Sequence, residues 1–340
     1  MADLRDKSLG FRLRREWLAY IYLLPTILVL LFLNGYPIAY SVYISMTDFG
    51  TGGKGSYFYY HYIGWTNYAQ ALRLPSGYPT GAALHSILWM VTLQPVAGLL
   101  TLASPITGSV LWPIVQNSFF WAGGSVVLFL AGGLGLATVL NQEVRGKGIY
   151  RTLILVPWAM PAFITILVWS SMWNYNYGII NDLLGYVGIA PIDWLQNTTT
   201  AWAALFITNF WLSFPFYTVV FLGAMQAIPH DLYEAASIDG AGSLAKFRRI
   251  TLPFLKPTVI FVGLMGFLFT FNNFYPIYLI TSGGPGSSTQ IFITQSYTDA
   301  FGAAPAFATA AMYGTVDFVL LVAITLFVIW RADLARNWLR

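Results

Sequence analysis

Two runs of amides, hydroxyls and aromatic rings interrupt otherwise apolar segments of this 340-residue chain. Asn209, Ser213, Phe216 and Tyr217 lie in TNFWLSFPFY, and Thr270, Asn272, Asn273 and Tyr275 lie in FTFNNFYPIY; Trp158 stands earlier, in LVPWAMPAF. Neutral donors and acceptors beside aromatic faces suit a polyhydroxylated ring such as a sugar, whose hydroxyls need paired hydrogen bonds and whose ring face stacks on an aromatic one. A charged ligand would call for Arg, Lys, Asp or Glu within the same segments. The alternative is that these groups are polar contacts between helices, worth about 0.6 kcal/mol each in a membrane.

Bond-making chemistry finds no support. The chain has no Cys, and its three scattered His offer no ligand spacing, so thiolate metal sites and disulfides are excluded. No nucleophile, metal or acid–base constellation is present, and the chain is read as a non-enzyme without a cofactor of its own. GTGGKGS at 50–56 superficially evokes a phosphate loop, but the Walker spacing would need Gly at 48, where Asp48 stands, and Ser or Thr at 55, where Gly55 stands. Asp317 is the one acid deep inside an apolar run. Such a residue is either a proton relay or the partner of a Tyr, Ser or Thr on a neighbouring helix.

The segments that must position these groups are hydrophobic helices. Hydrophobic residues make up 57% of the chain and charged residues 9%, with a mean hydropathy of +0.64, whereas a soluble chain carries about a quarter charged. The composition points to an all-α polytopic integral membrane protein. A pI near 9.1 could suggest nucleic acid, but the basic residues are not spread over a surface. All of the 17 Lys and Arg except Lys54 and Arg73 fall in residues 1–16, 145–151, 246–256 and 331–340. The positive-inside rule assigns those four segments to the cytoplasm.

Six crossings satisfy that bias: 17–46, 118–140, 152–173, 200–228, 258–280 and 307–330, with both termini (1–16 and 332–340) cytoplasmic. A basic start followed by a long apolar run without a small-x-small site reads as an uncleaved first span. The two prolines of LVPWAMPAF leave carbonyls unpaired in mid-membrane, which is tolerated where a helix lines a cavity. Residues 47–115 form an outer loop with a hydrophobic insertion at 82–115. One extra crossing there would invert everything after it, and 34 residues are short for two, so an external hairpin broken at Pro95 and Pro105 is expected.

Between the fourth and fifth spans lies the charged, Gly-rich island EAASIDGAGSLAKFRRITLPFLKP, 234–257. Asp231 and Glu234 have capping-box spacing, Ala235 and Ala236 keep one side thin, and Gly240 and Gly242 supply a stop. A short rigid helix leaving the membrane is shaped for a groove on another protein; an ordinary hairpin is the alternative.

Glu234, Ala235, Ala236, Asp239, Gly240, Ala241, Phe247, Ile250, Leu252, Pro253 and Pro257 resemble the EAA signature of binding-protein-dependent ABC importer permeases. PWAMPAF, NFWLSFPFY, DLYEAASIDGAG and FTFNNF are most similar to the maltose-type sugar branch. The resemblance covers the permease core at 116–331 well and the first 115 residues in part, chiefly through IGWTNYAQAL at 63–72. It implies the type I importer permease fold of six core transmembrane helices, with a coupling helix at 229–250. Asp231, Glu234, Ala235, Ala236, Asp239, Gly240 and Ala241 would then engage an ATPase subunit. It further implies a sugar pocket of Trp158, Ala162, Asn209, Leu212, Ser213, Phe216, Gly266, Thr270 and Asn273. The chain departs from the maltose-type pattern with Trp158 in place of a tyrosine, Ala162 and Gly266 in place of serines and Thr270 in place of an asparagine.

By the same resemblance the partners are a second homologous permease, two ATPase subunits that hold ATP and magnesium, and an extracellular sugar-binding protein, but no nucleic acid. The protein would sit in the plasma or inner membrane and pass a di- or oligosaccharide such as maltose or trehalose. The competing expectation is a proton-coupled transporter acting alone, with Asp317 as its relay.

Overall fold

A computed structural model describes residues 17–50, 60–72, 109–142 and 146–331. The expected hairpin at 82–115 lies outside the described residues up to 108, as do most of the 50–56 segment, Lys54 and Arg73. Among the described residues the chain is helical, with one isolated antiparallel bridge between Thr47 and Tyr62.

The helices are α1 (Trp17–Leu30), α2 (Tyr36–Ser45), α3 (Thr66–Ala71), α4 (Leu111–Asn141), α5 (Lys147–Ala159), α6 (Ala162–Met172) and α7 (Ile179–Tyr186). They continue with α8 (Thr198–Gln226), α9 (His230–Ile238), α10 (Ser243–Lys246), α11 (Leu252–Phe271), α12 (Phe274–Pro276), α13 (Phe292–Phe301) and α14 (Phe307–Arg331). Five continuous helical stretches are long and apolar enough to cross a bilayer: 21–45, α4, α8, 243–271 and α14. Helices α5 and α6 pass the same test only together, and they meet at an angle of 88°.

Where the helices depart from the hydropathy reading, prolines and polar side chains explain the difference. The first span runs through a π-helical turn, Leu31–Gly35, whose widened register precedes Pro37, a residue with no N–H to give to the ladder. Helix α4 begins at Leu111, seven residues before the expected start, so the end of the expected outer hairpin belongs to a spanning helix instead. The expected span 152–173, whose two prolines signalled disruption, is broken at Met160–Pro161, because Pro161 and the extended backbone at Met160 (ψ 141°) end α5. The expected span 258–280 is shifted: helix extends from Ser243 through a second π turn, Phe247–Thr251, and stops at Phe271. Hydropathy placed its start too late because Lys246, Arg248, Arg249 and Lys256 occupy helix that apolar counting discards.

Helices α4 and α8 form the centre. Half of the apolar window of α8 is buried, whereas none of that of the first span is, as befits a peripheral helix facing lipid. Close approach of α4 and α8 rests on glycine: a Cβ at Gly132 would collide with the Phe210 ring, and one at Gly133 with Tyr217. Small residues let helix backbones approach where lipid provides no hydrophobic drive for association. Three apolar clusters result, all sharing α4: one around Trp121, Trp173, Leu205 and Ile277, one around Phe129, Tyr217, Phe221 and Leu255, and one around Tyr68, Phe271, Phe292 and Tyr313.

The NY pair of IGWTNYAQAL has a structural task. Asn67 Nδ2 donates to the carbonyls of Ser45 and Thr47, both at 2.8 Å, satisfying groups left over at the end of α2. The Tyr68 hydroxyl meets Ser45 Oγ at 2.7 Å. Asn67 is buried, so Asn67→Ala strands two carbonyls and is expected to cost about 1–3 kcal/mol. A lowered thermal midpoint of the detergent-purified protein checks this; an unchanged midpoint contradicts it.

Candidate functional site

The expected pocket residues divide into a buried set and an open set. Asn209 is buried in the middle of α8 and Thr270 in the last turn of α11. Asn209 Nδ2 donates to Ser125 Oγ of α4 at 3.1 Å, and its Oδ1 accepts from Asn273 Nδ2 at 3.3 Å. A chain of neutral hydrogen bonds therefore links α4, α8 and the break after α11. The sequence reading missed Ser125; a serine within GGSVV, directly before an apolar run, carried no distinguishing signal.

Gly266 is also internal. A Cβ there would strike the Tyr217 hydroxyl, which reaches toward the Val262 carbonyl at 3.5 Å. Tyr217 thus fills the space that a side chain at 266 would take, so the Gly at 266 and the Tyr at 217 are a matched pair. This gives a physical reason for the departure from serine at that position.

Trp158, Ala162 and Phe216 are exposed, and Leu212, Ser213 and Asn273 are half-buried. The Trp158 and Phe216 rings lie 6.4 Å apart, and Phe163 meets Tyr275 edge-on at 6.1 Å. Phe163 was not among the expected residues; its place in WAMPAF beside Pro161 was the available clue. Two helix breaks frame this face. One is the 88° bend between α5 and α6. The other is Asn272–Asn273, where φ/ψ of −102°/17° and −80°/91° take the chain out of α11. No Lys, Arg, Asp or Glu occurs among the expected pocket residues, Ser125 or Phe163.

The projecting loop is built without help from the rest of the chain. None of the residues of α9 is buried. Its N-cap is Pro229, not Asp231, so the expected capping box does not form; the helix starts two residues early because Pro229 makes an extended approach (ψ 130°). Glu234 instead meets His230 Nδ1 at 3.0 Å, one turn back. Asp231 lies in the first turn, where the helix dipole favours an acid.

The far end is a Schellman closure. Ala241 N–H donates to Ala236 O and Gly240 N–H to Ser237 O, with Gly240 left-handed at φ +77°. Gly242 does not stop α9; it caps the next turn, Ser243–Lys246. Lys246 Nζ donates to Ser237 Oγ at 2.5 Å, and Tyr233 Oη meets Thr251 Oγ1 at 3.0 Å, which ties α9 to the helix that follows. The apolar tip residues Ile238 and Leu244 are 88% and 63% exposed.

Residues 130–329 match the family model of the binding-protein-dependent transport system inner membrane component. The trehalose/maltose transport system permease protein of Thermococcus litoralis is 37% identical over 209 residues, 61% of this chain and 70% of that one. The maltose/maltodextrin transport system permease proteins of Vibrio vulnificus and Escherichia coli are each 36% identical, over 68% and 65% of this chain. The matched region spans less than half of these two longer relatives, 46% and 44%.

Two solved structures share the fold. A bacterial ABC transporter involved in the import of the acidic polysaccharide alginate aligns with a TM-score of 0.67 at 19% identity, over 96% of this chain and 99% of that one. Its complex with a pentasaccharide-bound periplasmic protein aligns at 0.69 and 21%, over 95% and 96%. The all-helical spans, the EAA loop and the family match over most of the chain lead to one conclusion: this multi-pass membrane protein belongs to the family of inner membrane components of binding-protein-dependent transport systems.

Proposed function

We propose that this chain is one membrane-spanning subunit of an ABC importer for a neutral di- or oligosaccharide. The observation that carries the sugar reading is the face formed by Trp158, Phe163, Phe216 and Tyr275 beside Ser213 and Asn273. It offers aromatic surfaces and neutral hydrogen-bonding groups without a charged side chain. The names of the relatives, maltose and trehalose permeases, support the same substrate class.

The face is open because it is half of a path. A second permease of similar fold closes it, an external binding protein delivers the sugar, and two ATPase subunits supply the energy. The charge distribution puts both termini and α9 on the cytoplasmic side, where the exposed tip of α9 docks on an ATPase. Closure of the ATPase pair pulls α9, and α11 moves with it through the Tyr233–Thr251 contact and the continuous helix from Ser243. The pocket is thereby opened to each side in turn. A transporter acting alone would leave the apolar tip of α9 in water with nothing to bind.

The test is to purify the complex with its companions and screen sugars, loaded on the binding protein, for stimulation of ATP hydrolysis. Stimulation of about tenfold or more by a neutral oligosaccharide, and none by acidic sugars, is expected. Uptake by the chain alone, without a nucleotide-hydrolysing companion, would overturn the reading.

A further inference from the structure

We propose that α7 lies in the outer surface of the bilayer, with its apolar face sunk between the lipid headgroups and the upper acyl chains. The inference goes beyond the sugar reading and does not depend on which solute is carried. Six residues separate the end of α6 from α7, which stands in the loop that joins α6 to α8. The charge distribution puts that loop on the outer side.

The helix has its polarity reversed. Asn181 is buried and uses all of its hydrogen-bonding groups: Nδ2 donates to the carbonyls of Tyr175 at 3.2 Å and Ile192 at 3.0 Å, while Oδ1 accepts from Ile192 N–H at 3.1 Å and Trp194 Nε1 at 3.0 Å. On the opposite side Ile179, Leu183, Tyr186 and Val187 follow the spacing of one helical face, and all are exposed, Tyr186 at 87%. A helix lying on a protein in water turns such a stripe inward and its amide outward.

The orientation is fixed from both ends. Gly178 has no room for a side chain, since a Cβ there would meet the carbonyl oxygens of Met172 and Asn174. Trp194, held by Asn181, lies 4.8 Å from the Trp173 ring, and Trp173 Nε1 donates to Thr208 Oγ1 of α8 at 3.0 Å. At the far end Ile189 N–H donates to Leu184 O and Gly188 N–H to Gly185 O, with Gly188 left-handed at φ +78°. The stripe therefore cannot roll inward.

Its place and its company say what covers it. Trp173 and Trp194 mark the outer end of α6, and Tyr175, Tyr177 and Tyr186 are exposed at the same end. Trp and Tyr collect at the headgroup layer, where an apolar ring with a polar edge is wet on one side only. Residues 174–197 hold Asp182 and Asp193 but no Lys or Arg, so the contact rests on apolar insertion and not on attraction to anionic headgroups. Asp182 is exposed on the flank of the stripe, at the wet edge of such a layer. Anchoring there pins the outer end of α6, whose 11 residues span about 16 Å, roughly half of a hydrocarbon core of about 30 Å.

The chain has no Cys, so a single nitroxide can be set on α7 through Leu183→Cys or Asp182→Cys. The labelled chain is studied in the complete transporter, assembled from companions without accessible cysteines and reconstituted in phosphatidylcholine vesicles. Relaxation by oxygen, which concentrates in lipid, is compared with relaxation by a water-soluble nickel chelate. The label at 183 is expected about 5–10 Å below the phosphates, and the label at 182 nearer to water. In intact cells an impermeant maleimide added outside should modify Asp182→Cys.

Nickel access at 183 equal to that at 182 would overturn the inference and leave α7 in water. An immobile label at 183 that neither reagent reaches would also overturn it, because a protein surface would then cover the stripe. Lipid depth at 183 with no external modification at 182 would overturn the outer placement, and with it the topology used in the proposed function.

Discussion

Gly240→Asp is expected to reduce sugar-stimulated ATP hydrolysis and uptake to background while the chain inserts and the complex assembles. The reason is the place of Gly240, at the closure of a helix none of whose side chains is buried. No neighbour lies within 4 Å of where a Cβ would be, so the substitution collides with nothing inside this chain. The left-handed φ of +77° costs an L-residue roughly 1–2 kcal/mol, and Asp is among the residues that tolerate it best. The fold therefore survives.

A seated tip does not. At the centre of a desolvated contact, an added carboxylate without a partner costs several kcal/mol, and it also holds the surfaces apart. Gly240→Asn, with nearly the same strain and size but no charge, should fall between the parent and Asp. The measurements are assembly by size-exclusion chromatography and stimulated ATPase rate. Normal stimulation in an assembled Gly240→Asp complex would remove α9 from the coupling role.

The charge pattern and apolar run lengths made the crossings legible because lipid enforces both: backbone polar groups must be paired within a helix, and basic side chains mark the loops. What the pattern could not supply is where a helix bends or stops inside an apolar run. Pro157 and Pro161 signalled disruption, yet Pro157 sits within α5 and only Pro161 marks the 88° turn. Asn272 and Asn273 read as polar groups on a continuous helix, whereas together they end it, and the next three-residue helix begins at Phe274. Hydropathy averages over such a pair.

The same limit applies to the pocket. Sequence spacing put Asn209, Thr270 and Gly266 within apolar helices but could not show which way they face. Asn209 points inward to Ser125, Thr270 is buried and Gly266 backs onto Tyr217, while Trp158 and Phe216 face outward. In a span surrounded by lipid on one side and helices on the other, apolar residues occupy every face, so the amphipathic stripe that orients a helix in a soluble protein is absent. At α9 the opposite holds. The loop is in water, local chemistry dominates, and the helix with its Gly240 closure could be read from sequence except for where it begins.

Asn273→Ala is the substitution expected to separate a pocket from interhelical glue, since the same amide could serve either. As glue, its bond to Asn209 at 3.3 Å is worth about 0.6 kcal/mol, and its loss would leave uptake within a factor of about three. As a pocket group, the half-buried amide also has a second partner, a sugar hydroxyl that must leave water to enter the site. Removing it leaves that hydroxyl, and Asn209 Oδ1 behind it, unpaired where water is excluded, at about 1–3 kcal/mol for each group. Two such groups amount to at least about thirtyfold in transport rate. Assembly and thermal midpoint should hardly change, because the protein loses one long hydrogen bond and no core packing. Uptake of the stimulating sugar by the reconstituted complex, with thermal melting in parallel, decides between the two, and a loss below threefold would assign Asn273 to helix packing alone.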